Sequence, residues 1–187
     1  MTGLPQVWGA SDAEVSAPYP CDALLSSAEP LWRAVTVDAP REHVFRWLCQ
    51  LRAAPYSYDL LDNGGRRSPR ELTPGLDRLE VGQRLMRIFR VVSFDRNDHI
   101  TMLLDDPRGL RLFGDVSGSY AVRDAGGGTT RLVAKLWFGP GRGPAGVLRA
   151  RLLPWGDALM MRKQLLTLKS LAEQETVRSG RPVDSDR

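Results

Sequence analysis

Three tyrosines and one aspartate are the residues of this sequence best suited to acid–base chemistry. Tyr56, Tyr58 and Asp59 lie within one short segment, and Tyr120 follows in a stretch of alternating apolar residues. A tyrosine hydroxyl can donate a hydrogen bond to a ligand carbonyl, and a carboxylate beside it can act as a base. The same segment also fits a structural role, in which Asp59 and Asp62 cap a short helix and the tyrosine rings are buried. Tyr120 is the best single candidate for a polar group in the interior, because a buried hydroxyl needs a partner.

Metal, thiol and phosphate chemistry have weaker support. Cys21 and Cys49 are the only cysteines, and the two histidines are His43 and His99, which argues against both a disulfide framework and a zinc site. Asp98 precedes His99, but adjacent residues of a strand point to opposite faces, so we expect no converging pair. The glycine run at 126–128 lacks the lysine and the helix of a phosphate loop, and a hairpin turn explains it. We therefore predict no metal and no cofactor.

Composition favours one globular domain and excludes several partner classes. The chain has 187 residues, of which 42% are hydrophobic and 26% charged, and its net charge is +4. Acidic residues interrupt the basic ones, and neither a helix-turn-helix pattern nor interleaved aromatic and basic residues are present, so we expect no nucleic-acid partner. No apolar run approaches the roughly 20 residues of a membrane span, and the first 20 residues lack a signal-peptide pattern. The sequence thus predicts a cytoplasmic protein without stable membrane insertion.

The first half of the chain predicts a strand followed by helices. Residues 1–28 are an N-terminal extension that wraps or frays, and residues 31–37 alternate as a strand does. Asp38 and Pro40 then suit a helix start. An amphipathic helix follows, with its apolar residues at helical spacing: Val44, Trp47, Leu48 and Leu51. Residues 56–62 predict a second, short helix.

The second half predicts an antiparallel meander and a long helix. From Val81 the pattern has period two, and Met86, Ile88, Val92 and Phe94 are predicted to share one strand face. Residues 110–122 are predicted to form one curved strand, with an apolar face of Leu110, Leu112, Val116, Tyr120 and Val122. Residues 147–153 form a short segment closed by Pro154, and a helix is predicted over residues 155–175. A solvated tail ends the chain.

This order of elements resembles the START/Bet v 1-like (SRPBCC) superfamily, of the polyketide cyclase/dehydrase and lipid transport type. The resemblance lies in Val37–Pro40 with Val44–Leu48, in Tyr56–Asp59 and Val81–Arg84, and in Gly156-Asp157 with Met160–Leu166. It covers about Leu31 to Glu175 and implies an α+β helix-grip fold, in which a curved antiparallel sheet wraps around the C-terminal helix, with two short helices after the first strand. The implied units are an extension (1–28), the helix-grip domain (29–177) and a tail (178–187).

The resemblance also implies a function. Members of the superfamily bind lipids, polyketides or other hydrophobic small molecules in a cavity between sheet and helix, and we expect this chain to bind such a molecule without a cofactor. The residues expected to line it here are Tyr56, Tyr58, Met86, Ile88, Met102, Leu104, Leu112, Val116, Tyr120, Trp155 and Met161. Of these, Trp155 fits either a lid residue or a core anchor. The segment 147–153, with Arg149 and Arg151, could touch an anionic membrane during lipid transfer.

Two other functions remain open at this point. The first is a cofactor-independent cyclase, aromatase or dehydratase in the same cavity, with Tyr56, Tyr58, Asp59 or Tyr120 giving acid–base help. Such an enzyme would receive its substrate from an acidic acyl-carrier protein, and the basic residues Arg66, Arg67 and Arg70 could bind that partner. The second is a protein-interaction module whose core is filled. The sequence does not name the ligand.

Overall fold

The computed structural model describes residues 3–25, 30–58, 65, 67–139 and 143–179, without the side chains of 143–147 and 149. The strands in these ranges are β1 (Val7–Trp8), β2 (Leu31–Val37), β3 (Arg84–Leu85), β4 (Phe89–Asp95), β5 (His99–Leu104), β6 (Val116–Gly126) and β7 (Thr129–Phe138). The α-helices are α1 (Asp12–Ser16), α2 (Arg41–Cys49), α3 (Pro107–Phe113) and α4 (Gly143–Ser179). One-turn 3-10 helices cover Pro20–Ala23 and Gln50–Arg52.

The strands form one curved, open sheet, in the order β1-β2-β7-β6-β5-β4-β3. All neighbours are antiparallel except β1 and β2, which are parallel. The long helix α4 and the shorter α2 pack together on one side of this sheet. The predicted α+β helix-grip fold is therefore confirmed. The 3-10 turn Gln50–Arg52 follows α2, whereas most of the second helix predicted over 56–62 lies outside the described residues.

Strand pairing arranges the concave face in rows, because paired residues point to the same side of a sheet. One row runs across five strands as Arg33, Ala134, Tyr120, Ile100 and Phe94. The next row consists of Leu31, Leu136, Gly118, Met102 and Val91. Helix α4 covers these rows, so both face the interior.

The predicted face of β4 is wrong in part, because a β-bulge interrupts the alternation. The pairing register shifts between Val91 and Ser93, so Val91 is the fully buried residue and Val92 is only half-buried. A bulge adds one residue to one strand, which reverses the face of every residue before it relative to a simple count. Met86 precedes the strand and lies in a left-handed turn.

The predicted strand over residues 110–122 is also wrong in its first part. Residues Pro107–Phe113 form helix α3, and β6 begins only at Val116. The carboxylate of Asp106 accepts hydrogen bonds from the amides of Arg108 and Gly109, and the proline follows at the first helical position. Leu112 consequently lies on an exposed helix, with 63% of its surface exposed, and not on the concave face.

Helix α4 begins about three turns earlier than predicted. Pro154 lies inside the helix and does not end it. Because proline has no backbone N–H, the carbonyl of Ala150 lacks its usual donor within the helix. Ala150 is exposed, so solvent can reach it. Among the described residues, no helix is both long enough and apolar enough to cross a lipid bilayer.

The N-terminal segment wraps across the convex face of the sheet. The Cys21 amide donates to the hydroxyl of Ser119, and the carboxylate of Asp22 pairs with the ammonium of Lys135 at 2.7 Å. The Lys135 ammonium also lies 5.2–5.4 Å from the ring centres of three aromatic side chains, those of Tyr19, Trp32 and Trp137. The extension thus covers the face opposite to α4.

Candidate functional site

Polar side chains occupy the layer between the concave face and α4, where an ordinary core would be apolar. Helix α4 contributes Asp157, Met161 and Gln164, which lie on one side of the helix at spacings of four and three. The sheet contributes Arg33 and Tyr120, which flank Ala134 in one row. Because Ala134 on β7 lies between them, the backbones of these two residues are separated by two strand spacings, about 10 Å.

The first polar pair joins the sheet to the helix through Tyr120 and Gln164. The Tyr120 hydroxyl donates to the Gln164 side-chain oxygen at 2.5 Å and lies 3.7 Å from the Met161 sulfur. The Gln164 amide nitrogen donates to the Pro55 carbonyl at 2.6 Å and lies 3.3 Å from the Met86 sulfur. Tyr120 is 1% exposed, so it is a buried hydroxyl with a partner, as expected from its sequence position.

The Tyr120 hydroxyl stays protonated in this environment. Burial raises its pKa above the usual value of a phenol, and the negative charge of Asp157 raises it further. The hydrogen bond with Gln164 lowers the pKa but is the smaller effect. Tyr120 is therefore a hydrogen-bond donor at any physiological pH.

Gln164 contacts two backbone segments that contain residues in the left-handed conformation. Tyr56, which follows the Pro55 carbonyl, has φ +57°, and Met86 and Arg87 have φ +48° and +67°. The left-handed conformation costs a residue with a side chain about 1–2 kcal/mol. Such strain persists where the surrounding structure imposes it, and it clusters at ligand contacts and active sites. Both segments here border the same glutamine.

The second polar pair is an ion pair between Arg33 and Asp157. The guanidinium and carboxylate are 2.8 Å apart, and their side chains are 0% and 9% exposed. The guanidinium also donates to three carbonyl oxygens, those of Gln6 (2.8 Å), Trp32 (2.8 Å) and Pro154 (3.3 Å). The pair thus ties β2 to α4 and to the N-terminal segment.

Burial makes Asp157 a weak acid. It raises the pKa of this carboxyl to about 6, although the positive charge of Arg33 opposes the shift. Burial likewise lowers the pKa of Arg33, which Asp157 opposes. A carboxyl with a pKa near 6 can exchange a proton near neutral pH, which is the property of a general acid or base, and its negative charge also acts on Tyr120.

Of the residues predicted to line a cavity, Tyr56, Met102, Tyr120 and Met161 belong to the buried core under α4, whereas Leu112 and Trp155 are exposed. Buried residues of that set are Tyr56, Met102, Leu104, Val116, Tyr120 and Met161, whereas Tyr58, Met86 and Ile88 are half-buried. Leu112 lies on α3, and Trp155 is 56% exposed on the outer side of α4, so it is not a core anchor. Asp59 and Arg66 lie outside the described residues.

The sequence interpretation missed three residues of this site, namely Arg33, Asp157 and Gln164. Each left a signal, because each is a polar residue at a position of an apolar pattern. Arg33 alternates with the buried Leu31 and Val35, and Gln164 follows Met161 by three residues. A polar residue at a core position requires a buried partner, and that partner could have been sought on the facing element.

A pocket among the described residues lies away from the layer around Gln164. It has a volume of about 140 Å³ and lies at the C-terminal end of α4, beside α2. It is lined by Trp47, Arg70, Glu71, Leu72, Leu171, Gln174, Glu175 and Arg178. Its charged rim and small volume distinguish it from the methionine-lined layer around Gln164.

The imidazole of His99 has a carboxylate partner, that of Asp98. Asp98 lies in a turn and not on the strand, so its carboxylate does reach the His99 imidazole, at 2.9 Å, contrary to the prediction. His99 pairs with Ala121, which belongs to the convex face, so the Asp98–His99 pair lies away from the layer under α4.

Cys21 and Cys49 are buried, and burial raises the pKa of both thiols, that of Cys49 to about 12. Neither is an activated nucleophile.

Comparisons with known proteins relate this chain to solved structures by fold. No family model and no curated protein matches the sequence. A solution structure of a protein from Thermobifida fusca is 17% identical, with a TM-score of 0.50, covering 78% of this chain and 93% of that one. The di-domain ARO/CYC StfQ of the steffimycin biosynthetic pathway is 14% identical (TM-score 0.49; 81% and 52% covered). CalC, a self-sacrificing resistance protein from Micromonospora echinospora, is 17% identical (TM-score 0.45; 82% and 97% covered). At these identities, the likeness to the Thermobifida protein extends to the fold alone.

Proposed function

We propose that this protein binds a hydrophobic small molecule, of the lipid or polyketide class, between the concave face of the sheet and α4. The observation that carries the proposal is the buried Tyr120–Gln164 pair, bordered by Met86 and Met161 and by two strained backbone segments. A hydroxyl and an amide in an apolar layer can orient a ligand that carries one or two oxygen atoms. The Gln164 amide would then exchange the Pro55 carbonyl for a ligand group.

The layer can open because its walls are flexible side chains. Met86, Met102 and Met161 are unbranched and adapt to irregular shapes better than leucine or valine does. Gly118 leaves space for its neighbours in the middle of the sheet. A Cβ atom there would lie 3.3 Å from the Met102 methyl group and 3.4 Å from the Leu136 side chain. We infer that the methionines fill the layer without ligand and move aside when it binds.

Native mass spectrometry and a probe titration test this proposal. The protein is purified gently and searched for a bound apolar molecule, and it is then titrated with 1-anilinonaphthalene-8-sulfonate. Met102→Trp fills the layer and should weaken probe binding at least tenfold, whereas Leu112→Trp adds the same ring on exposed α3 and should leave it unchanged. Equal affinity in both variants would contradict the assignment, and absence of any apolar ligand would favour an interaction module with a filled core.

A second function, acid–base catalysis on a polyketide-like substrate, is supported by Asp157. Asp157, with its pKa of about 6, is a base and Tyr120 is a hydrogen-bond donor in the same layer under α4, without a cofactor. The expected reaction class is cyclisation or dehydration of a bound poly-β-keto chain. Asp157→Asn and Tyr120→Phe should lower turnover of a poly-β-keto thioester about 100-fold. Turnover that survives both substitutions would exclude this mechanism and leave binding alone.

The enzymatic proposal includes an acidic acyl-carrier partner, which would bind the basic residues Arg66, Arg67 and Arg70. Of these, Arg67 and Arg70 lie within the described residues and are exposed. Pairs of exposed charges are screened over about 10 Å at an ionic strength of 0.1 M, so the complex should weaken steeply with added salt. Arg67→Glu combined with Arg70→Glu should abolish that salt dependence, and the exposed Arg111→Glu on α3 serves as the matched control.

A further inference from the structure

Helix α4 carries a second apolar face, which points away from the sheet. Leu148, Leu152, Trp155 and Leu159 are each 56–60% exposed, and Leu166 is 38% exposed. Their spacings of four, three, four and seven place them on one side of the helix. The buried residues of α4 lie on the opposite side, among them Ala158, Met161, Leu165 and Leu168. Across the 18 residue steps from Leu148 to Leu166 this outer stripe is about 27 Å long.

An exposed apolar stripe of this length needs an explanation. Isolated apolar residues on a surface are ordinary, but a contiguous row of four leucines and a tryptophan marks an interaction site. The stripe contributes nothing to the packing of α4 on the sheet, which uses the other face. A partner therefore has to be sought in the chemistry of its borders.

The borders of the stripe are basic. The exposed residues Arg151 and Arg162 lie on one side of it and Lys163 on the other, as the 100° rotation per residue places them. From Leu148 to Ala172 the sequence contains one acidic residue, Asp157, and its carboxylate is turned inward to Arg33. The outer face of this part of α4 thus combines leucine and tryptophan with positive charge alone.

A second copy of the chain is a poor partner for this face. Spacings of three and four do resemble a coiled-coil seam, but a twofold dimer would set the same face against itself. Arg151, Arg162 and Lys163 would then meet basic residues of the other copy without acidic partners. Like charges at such positions destabilise a pair of helices.

We propose that α4, from Leu148 to Leu166, lies on the surface of an anionic lipid bilayer. The leucines and Trp155 would enter the boundary between headgroups and acyl chains, and the basic borders would bind anionic headgroups. Helices with an apolar stripe, basic borders and low mean hydropathy bind in the plane of the interface and do not span the membrane. The inference does not depend on the proposed small-molecule binding, because the two use opposite faces of the helix.

Flotation with lipid vesicles tests this proposal. The full chain is mixed with vesicles of phosphatidylcholine, or of phosphatidylcholine and phosphatidylglycerol in equal parts. Binding is expected only to the second kind. Leu152→Gln combined with Leu159→Gln should reduce partitioning more than tenfold, and Lys163→Gln should reduce it about fivefold. Val81→Gln changes a similarly exposed residue outside α4 and should have no effect.

Trp155 gives a local signal for the same experiment. Its fluorescence should shift to shorter wavelength on vesicle binding, and Trp155→Phe should remove that shift. Circular dichroism checks that each variant is folded, which is expected because all the changed residues are exposed.

Three results would overturn the proposal. The first is the absence of binding to the phosphatidylglycerol vesicles, and the second is binding that the paired leucine substitutions leave unchanged. The third is a concentration-dependent dimer in sedimentation, abolished by those substitutions, in a protein that does not float with vesicles. That third result would assign the stripe to a second copy of the chain.

Discussion

Replacing Arg33 by methionine should make the stability of the protein depend on pH above about pH 7, where the wild type is insensitive to Asp157. In the wild type, burial raises the Asp157 pKa from 3.8 to about 6. Between these values the folded protein holds a proton that the unfolded chain has released, so stability falls as pH rises. The shift corresponds to about 3 kcal/mol, and the loss is nearly complete at about pH 7.

Arg33→Met removes the positive charge that holds this pKa down. Arg33 is fully buried and 2.8 Å from Asp157, so without it the carboxyl would remain desolvated and unpaired. Its pKa should then rise above 6, and stability should keep falling through pH 7, by up to about 1.4 kcal/mol per pH unit. At neutral pH the total cost should be about 3–5 kcal/mol, as for other buried pairs that lose one partner.

Denaturation in urea at several pH values, followed by tryptophan fluorescence, measures this effect. The quantity of interest is the free energy of unfolding of the variant minus that of the wild type, since His43 and His99 are present in both and their contributions cancel. Arg33→Met combined with Asp157→Asn is the control, and its difference from the wild type should be flat above about pH 7. A flat difference for Arg33→Met alone between about pH 6 and 8 would refute the assignment of Asp157 as a buried acid.

Three smaller predictions concern the frame around the site. Gly9→Ala should destabilise the protein by more than about 2 kcal/mol in the same urea assay. The Gly9 backbone is left-handed, and the added carbon would lie 2.1 Å from the Ala34 carbonyl oxygen. A change below about 0.5 kcal/mol, as at an ordinary surface site, would show that β1 does not pack there. Asp106→Ala should cost about 1 kcal/mol through loss of the α3 cap, and no loss would mean that the cap is not formed in solution. Cys21 and Cys49 should react with a thiol reagent at least tenfold faster in denaturant than in the native protein, and equal rates would contradict their burial.

Much of the fold follows from short-range pattern, and two of the errors lie where that pattern is interrupted. Strand β2, helix α2 and strands β5 to β7 show periods of two or 3.6 that persist over several residues, so local spacing predicts them. The alternation of β4 breaks at the Val91–Ser93 bulge, and the stretch before Val116 is a capped helix. At the bulge, one extra residue changes the face of the sheet on which the neighbouring side chains lie. Before Val116, the chain forms helix α3 and not an extended strand. Only pairing with the neighbouring strand fixes where each change occurs.

The candidate site was partly predictable for the same reason. The burial of Tyr120, Met102 and Met161 follows from their apolar surroundings in the sequence. Their partners do not, because Gln164 and Pro55 are brought to Tyr120 by the packing of α4 against the sheet.

The sequence by itself determined most of the order and periodicity of the elements, and the resemblance that this order supports implied the α+β helix-grip fold that the structure has. It did not identify Arg33 and Asp157 as members of the site. Only the tertiary structure decided that they meet at 2.8 Å, and that Leu152, Trp155 and Leu159 face outward while Met161 and Gln164 face inward. The physical reason is that both faces of α4 are apolar in sequence, so periodicity alone cannot choose which of them packs against the sheet.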